Sequence, residues 1–205
     1  MRTRIIPIDE PASIFLAEQL LQKGNLVAFP TDTVYGLGVM AFDTIAIDKL
    51  YRVKGRDTSK AIAVLVGDIA ALEEVTNEIG LTARQLAKEF WPGPLTLVLP
   101  RHPSLPTNLS PLPTIGVRMP NHKSTLALLN RTGPMAVTSA NLSGKPSTKT
   151  ALEVFEQLNG RMPLILDGGT TSGGVPSTVV DCTGSELAVL RQGPISMAQL
   201  LSALS

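Results

Sequence analysis

Several short polar segments of this 205-residue chain carry side chains that are suited to binding an anion. Together they supply arginine, lysine, serine, threonine and asparagine but few acids, and each adjoins an apolar run. Arginine and lysine bind phosphate and carboxylate oxygens through charge-assisted hydrogen bonds, and hydroxyls and backbone amides add directional donors. Because ligands of open α/β sheets collect at the carboxyl ends of strands, we expect one cleft. The segments are residues 30–33, 54–60, 114–118, 138–144, 176–178 and 190–193.

Each segment taken alone also fits an ordinary structural interpretation. Lys54 and Arg56 fit an exposed helix end, where cations interact favourably with the helix dipole. Residues 138–144 fit a turn, since serine and asparagine favour turns. Arg118 fits a surface charge on an edge strand, and Tyr35 fits core packing. The prediction of a site therefore depends on the combination of segments.

Other kinds of site lack the residues that they need. A single cysteine, Cys182, excludes a disulfide framework and a multi-thiolate zinc or iron–sulfur site, and two histidines argue against a histidine-based metal centre. The glycines at 36 and 38 lack the third glycine of a dinucleotide fingerprint, and no nucleophile elbow is present. A formal net charge of +1 argues against a protein that coats nucleic acid, although it permits a local basic cleft.

The elements that must position these segments alternate along the chain, which predicts one α/β domain over residues 1–205. Hydrophobic residues make up 43% of the chain and charged residues 17%, a balance that favours a folded core. Residues 31–38 and the proline-rich 100–113 are predicted loops. Predicted strands are 26–29, 61–66, 95–99, 115–119, 135–138, 164–166, 179–181 and 187–190. Predicted helices are 9–23, 43–52, 69–75, 82–90, 123–130, 150–158 and 196–205, with Asp9, Asp43, Thr82 and Ser196 as N-caps.

The apolar runs are too short to cross a bilayer, and the first residues do not form the apolar stretch of a signal peptide. We therefore expect a cytoplasmic protein with no membrane partner.

A set of motifs, taken jointly, resembles the YrdC/Sua5 family of threonylcarbamoyl-AMP synthases. The motifs occur in family order between about residues 25 and 195. The resemblance implies an α/β fold with a twisted, mixed open sheet, flanking helices and a concave, positively charged cleft. The motifs are FPTDTVYGLG at 29–38, K-x-R at 54–56, WPGPLT at 91–96, VRMP at 117–120, S-x-N at 139–141, ST at 177–178 and LRxG at 190–193.

The same resemblance implies a reaction. L-Threonine, bicarbonate and ATP would give L-threonylcarbamoyladenylate and pyrophosphate, with Mg²⁺ carried mainly by the ATP phosphates. The product would feed the N6-threonylcarbamoyladenosine modification of tRNA through a downstream threonylcarbamoyl transferase. Weak binding of RNA or tRNA is a further expectation of the resemblance.

The resemblance also implies roles for individual residues. Lys54 and Arg56 are the expected catalytic residues, and no protein ligand for a metal is expected. Threonine contacts fall on Thr33, Arg118 and Ser177. Nucleotide contacts fall on Arg56, Lys60, Thr114, Ser139, Asn141, Ser147 and Arg191.

The chain departs from the family pattern at two positions. Leu65 stands where some relatives place a threonine-contacting histidine, and the position of Lys60 is asparagine in others. Because the sequence ends soon after the Arg191 motif, the extra C-terminal domain of the longer Sua5 form is expected to be absent. The K-x-R and S-x-N pairs favour the synthase branch over the YciO branch.

Two alternative functions stay open from the sequence. One is an RNA-binding module of the same fold without synthase activity. The other is a carbamoyl-adenylate-forming domain like that of hydrogenase maturation proteins, which would use carbamoyl phosphate.

Overall fold

The computed structural model describes residues 2–184 and 186–205. In these residues, helices are interspersed with strands along the chain, but strict alternation, which the sequence predicted, is not observed. The strands are β1 (Arg4–Pro7), β2 (Val27–Phe29), β3 (Gly36–Met40), β4 (Ala63–Leu65), β5 (Leu95–Pro100), β6 (Thr114–Arg118), β7 (Met135–Ser139), β8 (Leu164–Asp167), β9 (Thr178–Asp181) and β10 (Ala188–Arg191). The helices are α1 (Pro11–Gln22), α2 (Thr44–Lys54), α3 (Leu72–Val75), α4 (Leu81–Phe90), α5 (Lys123–Thr132), α6 (Ala151–Leu158) and α7 (Met197–Ala203), with a 3-10 turn at Thr107–Leu109.

One sheet contains all of these strands, in the order β1-β8-β2-β3-β7-β4-β6-β5-β9-β10. Parallel pairs such as β4 with β6 and β5 with β9 occur in the same sheet as antiparallel pairs such as β3 with β7 and β5 with β6. The predicted α/β fold with a mixed sheet and flanking helices is therefore confirmed.

The helices cover the two faces of the sheet unequally, and this inequality creates the cleft. Helices α2, α4 and α6 pack on one face through Leu50, Leu86 and Val154. On the other face, α1 and α5 cover only the part of the sheet around Phe29 and Met135. The part of this second face formed by β4, β6, β5 and β9 is left open.

Alternation along β5 shows how the sequence directs side chains to these faces. Leu97 belongs to the covered core, whereas Thr96 and Val98 line the open face. A threonine at an alternate position of an apolar strand is therefore the sequence signal for this surface.

The end of helix α2 separates the two cations of the K-x-R motif. At the start of the helix, Asp43 accepts a hydrogen bond from the backbone amide of Ala46 at 2.9 Å, which confirms the predicted N-cap. Gly55 ends the helix in the left-handed conformation, with φ at 59°. The turn at Gly55 therefore lies between Lys54, the last helical residue, and Arg56.

The predicted loop at 31–38 is wrong in its second half, because Gly36–Met40 forms the interior strand β3. Its glycines hide the strand pattern in the sequence, and packing explains them. A Cβ on Gly38 would lie 2.7 Å from Cε of Met135 and 2.9 Å from Cε1 of Phe29. The glycine therefore makes room for large side chains that cover this face.

Two predicted helix caps are also wrong. Helix α1 begins at Pro11 after Glu10 without a side-chain cap, and Asp9 instead accepts a hydrogen bond from the Ser124 hydroxyl at 2.7 Å. Helix α4 begins before Thr82 and follows Gly80, again without a side-chain cap. Strand β1, which the sequence did not predict, is short and ends at Pro7. Ser196 does cap α7, through a capping box with Gln199.

Among the described residues, no helix combines the length and the hydropathy that crossing a bilayer requires.

Candidate functional site

The open part of the sheet forms the floor of a cleft with a volume of about 400 Å³. Residues from strands far apart in the sequence converge on it because β4, β6, β5 and β9 are neighbours in the sheet. Its polar lining is Thr31, Thr33, Arg56, Thr96, Ser110, Thr114, Arg118, Thr138, Ser139, Ser177, Asp181 and Arg191.

Arg118 lies at the deep end of the cleft and is only 6% exposed. Its strand, β6, is an interior strand between β4 and β5, so the alternative of a surface charge on an edge strand is wrong. The Nε atom donates to the carbonyl of Gly93 at 2.9 Å, and Nη1 donates to Oγ1 of Thr33 at 3.0 Å. The Nη2 atom forms a salt bridge with Asp32. These contacts fix the plane of the guanidinium group.

Asp32 is a site residue that was not predicted from the sequence. Besides the salt bridge to Arg118, its Oδ1 atom accepts the backbone amide of Asn121 at 3.1 Å. The signal was available, since an acid directly after a buried strand and next to Thr33 stands out in a segment otherwise poor in acids. Asp32 therefore orients Arg118 from the side away from the cleft lining.

Ser177 and Arg191 meet beside this deep end. The Nε and Nη2 atoms of Arg191 donate to the carbonyl of Ser177 at 3.0 and 2.9 Å, and Nη2 also donates to the Ser177 hydroxyl at 3.1 Å. The Ser177 hydroxyl lies 2.8 Å from Oγ1 of Thr96 on the neighbouring strand. Three predicted site residues, Arg118, Ser177 and Arg191, are thus brought to one cleft.

Arg56 lines the cleft from the loop after α2. Its Nη2 atom donates to the carbonyl of Ala61 at 2.8 Å, and Nε donates to that of Lys60 at 3.3 Å. Ser139 and Thr114 line the same cleft from β7 and β6.

Lys54 and Asn141, by contrast, lie behind the cleft lining. Lys54 is 2% exposed, so the alternative of an exposed helix end is wrong for it. Its Nζ atom donates to the carbonyls of Ser139 and of Asn141, the latter at 2.6 Å. Asn141 uses Nδ2 to donate to the carbonyls of Leu142 and Lys145, both at 2.8 Å. Both side chains therefore brace the segment that carries Ser139.

Two other predicted nucleotide contacts lie outside the cleft lining. Lys60 is exposed and Ser147 is half-buried. Their contacts with a nucleotide stay predictions.

Burial lowers the pKa of all three arginines of the cleft, and the charge of a neighbouring arginine adds to the shift of two of them. Burial lowers the pKa of Arg118, with Asp32 opposing the shift and Arg191 adding to it. Burial likewise lowers the pKa of Arg191, and the positive charge of Arg56 adds to that effect. The pKa of Arg56 is also lowered by burial, against the opposing influence of Tyr51 and Asp57. Such a set of buried cations is stabilised by an anionic ligand.

Asp181 is the one carboxylate among the described residues that line the cleft. The part of the chain that the structure describes also contains no group of three or more histidine, cysteine, aspartate or glutamate residues able to hold a metal ion. The residues present therefore do not fit a Mg²⁺ ion bound by the protein alone.

Gly193, which follows β10, lies directly against the backbone of residues 176–178. A Cβ on Gly193 would lie 2.3 Å from the Thr178 nitrogen, 2.5 Å from the Ser177 carbonyl carbon and 2.6 Å from the Pro176 oxygen. Because these are backbone atoms, they cannot rotate away. Only glycine fits at this position without moving the segment that holds Arg191 against Ser177.

We expect Gly193→Ala to lower the free energy of unfolding by about 3 kcal/mol, the upper part of the range for overpacking. Urea unfolding of the purified variant measures this change. Gly80→Ala is the matched control, because nothing lies within 4 Å of the point that its Cβ would occupy, and, as the residue before α4, it should cost no more than about 1 kcal/mol. Equal stabilities of the two variants would contradict the prediction.

Comparisons with known proteins agree with this geometry. The sequence profile of the Sua5/YciO/YrdC family, described as "Telomere recombination", matches residues 19–193. A Bacillus subtilis protein named "Threonylcarbamoyl-AMP synthase" is 45% identical over 90% of this chain, which spans 54% of that protein. The chain thus covers little more than half the length of this relative.

Solved structures show the same fold. The structure of Pyrococcus abyssi Sua5 complexed with L-threonine has a TM-score of 0.96 and 40% identity, covering 98% of this chain and 61% of that chain. The structure of Escherichia coli YciO has a TM-score of 0.87 and 28% identity, covering 97% of this chain and 99% of that chain. The matched residues include every strand that lines the cleft, and the chain belongs to the Sua5/YciO/YrdC family.

Proposed function

We propose that the chain is a nucleotidyltransferase that forms L-threonylcarbamoyladenylate from L-threonine, bicarbonate and ATP and releases pyrophosphate. The observation that carries this proposal is the cleft itself, in which the buried, oriented Arg118 shares one cavity with Arg191 and Arg56. The relatives named threonylcarbamoyl-AMP synthase and the relative solved with L-threonine support the same activity.

The deep end of the cleft suits the amino acid. Arg118 uses one N–H of Nη1 and one of Nη2 in its contacts with Thr33 and Asp32, and the second N–H of each atom has no partner among the described residues. Two such N–H groups can bind the two oxygens of one carboxylate. The hydroxyls of Thr33 and Ser177 supply further polar partners. Leu65 and Val137 form an apolar wall nearby that suits a methyl group.

The lining of this end of the cleft also predicts how the protein would discriminate among amino acids. A site that hydrogen-bonds a substrate hydroxyl rejects the analogue that lacks it far more strongly than an apolar wall recognises one methyl group. We therefore expect valine to be rejected more strongly than serine.

The proposed reaction requires the protein to position the substrates and to stabilise charge, and it does not require a nucleophile from the protein. The neutral amine of threonine adds to bicarbonate and, with loss of water, gives a carbamate. A carbamate oxygen then attacks the α-phosphorus, and the bond from that phosphorus to pyrophosphate breaks. Such transfers are accelerated mainly by positioning and by electrostatic stabilisation.

The cations of the cleft serve both steps. Positive neighbours favour the neutral form of an amine, which is the form that adds to bicarbonate. Arg56 and Arg191 are placed to stabilise the charge that develops on the phosphates, and Ser139 and Thr114 add hydroxyl donors. In this proposal, Mg²⁺ arrives with the ATP phosphates, in keeping with the single carboxylate of the described lining.

The partners follow from the product. The adenylate is an activated acyl donor, so a downstream threonylcarbamoyl transferase that modifies tRNA would consume it. Direct binding of RNA or tRNA would be weak and would fall steeply with salt, because the formal net charge is +1.

The test is an assay of pyrophosphate release with single substrates omitted. With ATP present, we expect release that requires both L-threonine and bicarbonate and that carbamoyl phosphate cannot support. Release that is independent of threonine would contradict the proposal. Binding of RNA without any turnover would favour the RNA-binding alternative.

A further inference from the structure

Lys54 is a buried cation tied to the wall of the cleft. It continues the inward stripe of α2 after Leu50 and Tyr51, and its Nζ atom donates to the carbonyls of Ser139 and Asn141. The backbone amide of Ser143 in turn donates to the carbonyl of Lys54 at 2.9 Å. The end of α2 and the segment 139–143 are therefore joined through Lys54.

This ammonium group has no carboxylate partner in the described part of the chain, where the salt bridges are Arg118–Asp32 and Arg131–Glu18. The neighbouring cations are Arg52 and Arg56 on its own segment, Lys145 on the segment 139–145, and Arg161, whose Nη1 atom donates to the carbonyl of Val53. Strand β3 and the 3-10 turn, which pack against α2, carry no charged residue.

The acids closest in sequence are engaged elsewhere. Asp48 on α2 accepts a hydrogen bond from Nδ2 of Asn108 at 2.7 Å. Asp57 is exposed and accepts a hydrogen bond from the backbone amide of Ser59 at 2.9 Å. Burial accordingly lowers the pKa of Lys54 to about 7, and the positive charge of Arg56 adds to the shift. A buried charge that is hydrogen-bonded but not paired with an opposite charge is costly, and a nearby negative charge would relieve that cost.

The cleft offers a place for that negative charge. Ser139, whose carbonyl holds Lys54, lines the cleft together with Arg56. An anion bound between Arg56 and Ser139 would be separated from the ammonium group by the Ser139 backbone. Charges separated by so little protein and shielded from water interact strongly.

We propose that Lys54 is a positioning residue whose positive charge is balanced by the ligand. A triphosphate bound at Arg56 and Ser139 supplies the negative charge, and Lys54 takes up a proton from solvent as the triphosphate binds. The inference rests on the proposed function for the identity of the anion. The ammonium form then holds the carbonyls of Ser139 and Asn141, which fixes the shape of the wall while the ligand is present.

Proton uptake makes binding depend on pH in a defined direction. Above pH 7 the free protein carries an increasing fraction of neutral Lys54, so the triphosphate must draw in a proton to bind. Affinity should therefore fall as pH rises, by up to about tenfold per pH unit. Any proton that the triphosphate itself exchanges on binding is common to wild type and Lys54→Met, so the difference between the two proteins reports Lys54.

The experiment is calorimetric titration of the whole chain with a non-hydrolysable ATP analogue, near pH 8, in buffers of different ionisation enthalpy. We expect the wild-type protein to take up about one proton more per bound analogue than Lys54→Met does. The affinity of Lys54→Met and of Lys54→Arg should fall less steeply with rising pH than the wild-type affinity does. Lys49→Met, on the same helix but bonded to Asn25, is the matched control and should behave as wild type.

A second measurement needs no variant. In protein labelled with ¹³C-lysine, the chemical shift of one Cε resonance should titrate with a midpoint near neutral pH. Addition of the analogue should move that midpoint to higher pH. The absence of such a resonance overturns the inference even where Lys54→Met fails to fold.

The outcomes separate this inference from the proposed function. Binding of the analogue with equal proton uptake in wild type and Lys54→Met overturns the inference alone. Absence of binding overturns both. Proton uptake by a protein that shows no threonine-dependent turnover supports the inference and overturns the proposed function.

Discussion

Replacing Arg118 by lysine should lower kcat/KM for threonine-dependent pyrophosphate release on the order of 10²–10³-fold. Lysine keeps the charge but presents a single point donor, so the paired N–H groups that suit a carboxylate are lost. The contacts with Thr33 and Gly93 that orient the group are weakened with them, whereas the lysine ammonium can still pair with Asp32. The measurement is the steady-state rate as a function of threonine concentration.

Stability must be measured beside activity, because Arg118 is buried. Arg118→Ala would leave Asp32 without its partner and cost about 3–5 kcal/mol, so the lysine variant is the cleaner test. Arg131→Lys is the matched control, since Arg131 also forms a salt bridge, with Glu18, at a half-exposed position away from the cleft lining. An Arg118→Lys enzyme that is folded and within about twofold of wild type would contradict the proposed role.

The sequence predicts which segments form the site, but not how their side chains meet. Polar residues after Phe29 and at the end of β6 were visible as interruptions of apolar runs, and both lie at the cleft. The pairing of Asp32 with Arg118 was not visible, because it joins residues 86 positions apart. That contact depends on the order of strands in the sheet, which local patterns do not determine.

Lys54 and Arg56 show how a motif can group residues that do different things. The spacing K-x-R suggests two equivalent cations, yet Gly55 turns the backbone between them. The stripe of Ile47, Leu50 and Tyr51 continues to Lys54 at helical spacing, so its inward direction could have been read from the sequence. Arg56 lies beyond the helix and was not constrained by that pattern.

Strand β3 was missed because its glycines carry no apolar signal. The reason for the glycines lies on other strands, in the volumes of Phe29 and Met135. Packing between residues that are distant in the sequence cannot be inferred from the local patterns of a single sequence.

Arg56→Ala should reduce kcat/KM for ATP on the order of 10²–10³-fold, while the affinity for threonine changes little. Arg56 is fixed by the carbonyls of Lys60 and Ala61, and it faces the cleft on the side of Ser139. A phosphate there gains a charge-assisted partner that becomes more important as pyrophosphate leaves. Rates measured against ATP concentration, with threonine held saturating, test this expectation.

The matched control for Arg56→Ala is Arg52→Ala, which removes an exposed guanidinium from the last turn of the same helix. We expect that variant to stay within about threefold of wild type, because surface charges contribute little to binding at a distance in physiological salt. A loss of similar size in both variants would mean that the general positive charge of this end of α2, and not a contact made by Arg56, attracts the nucleotide. A loss confined to threonine binding would instead place the amino acid at Arg56 and reverse the orientation of the two substrates in the cleft.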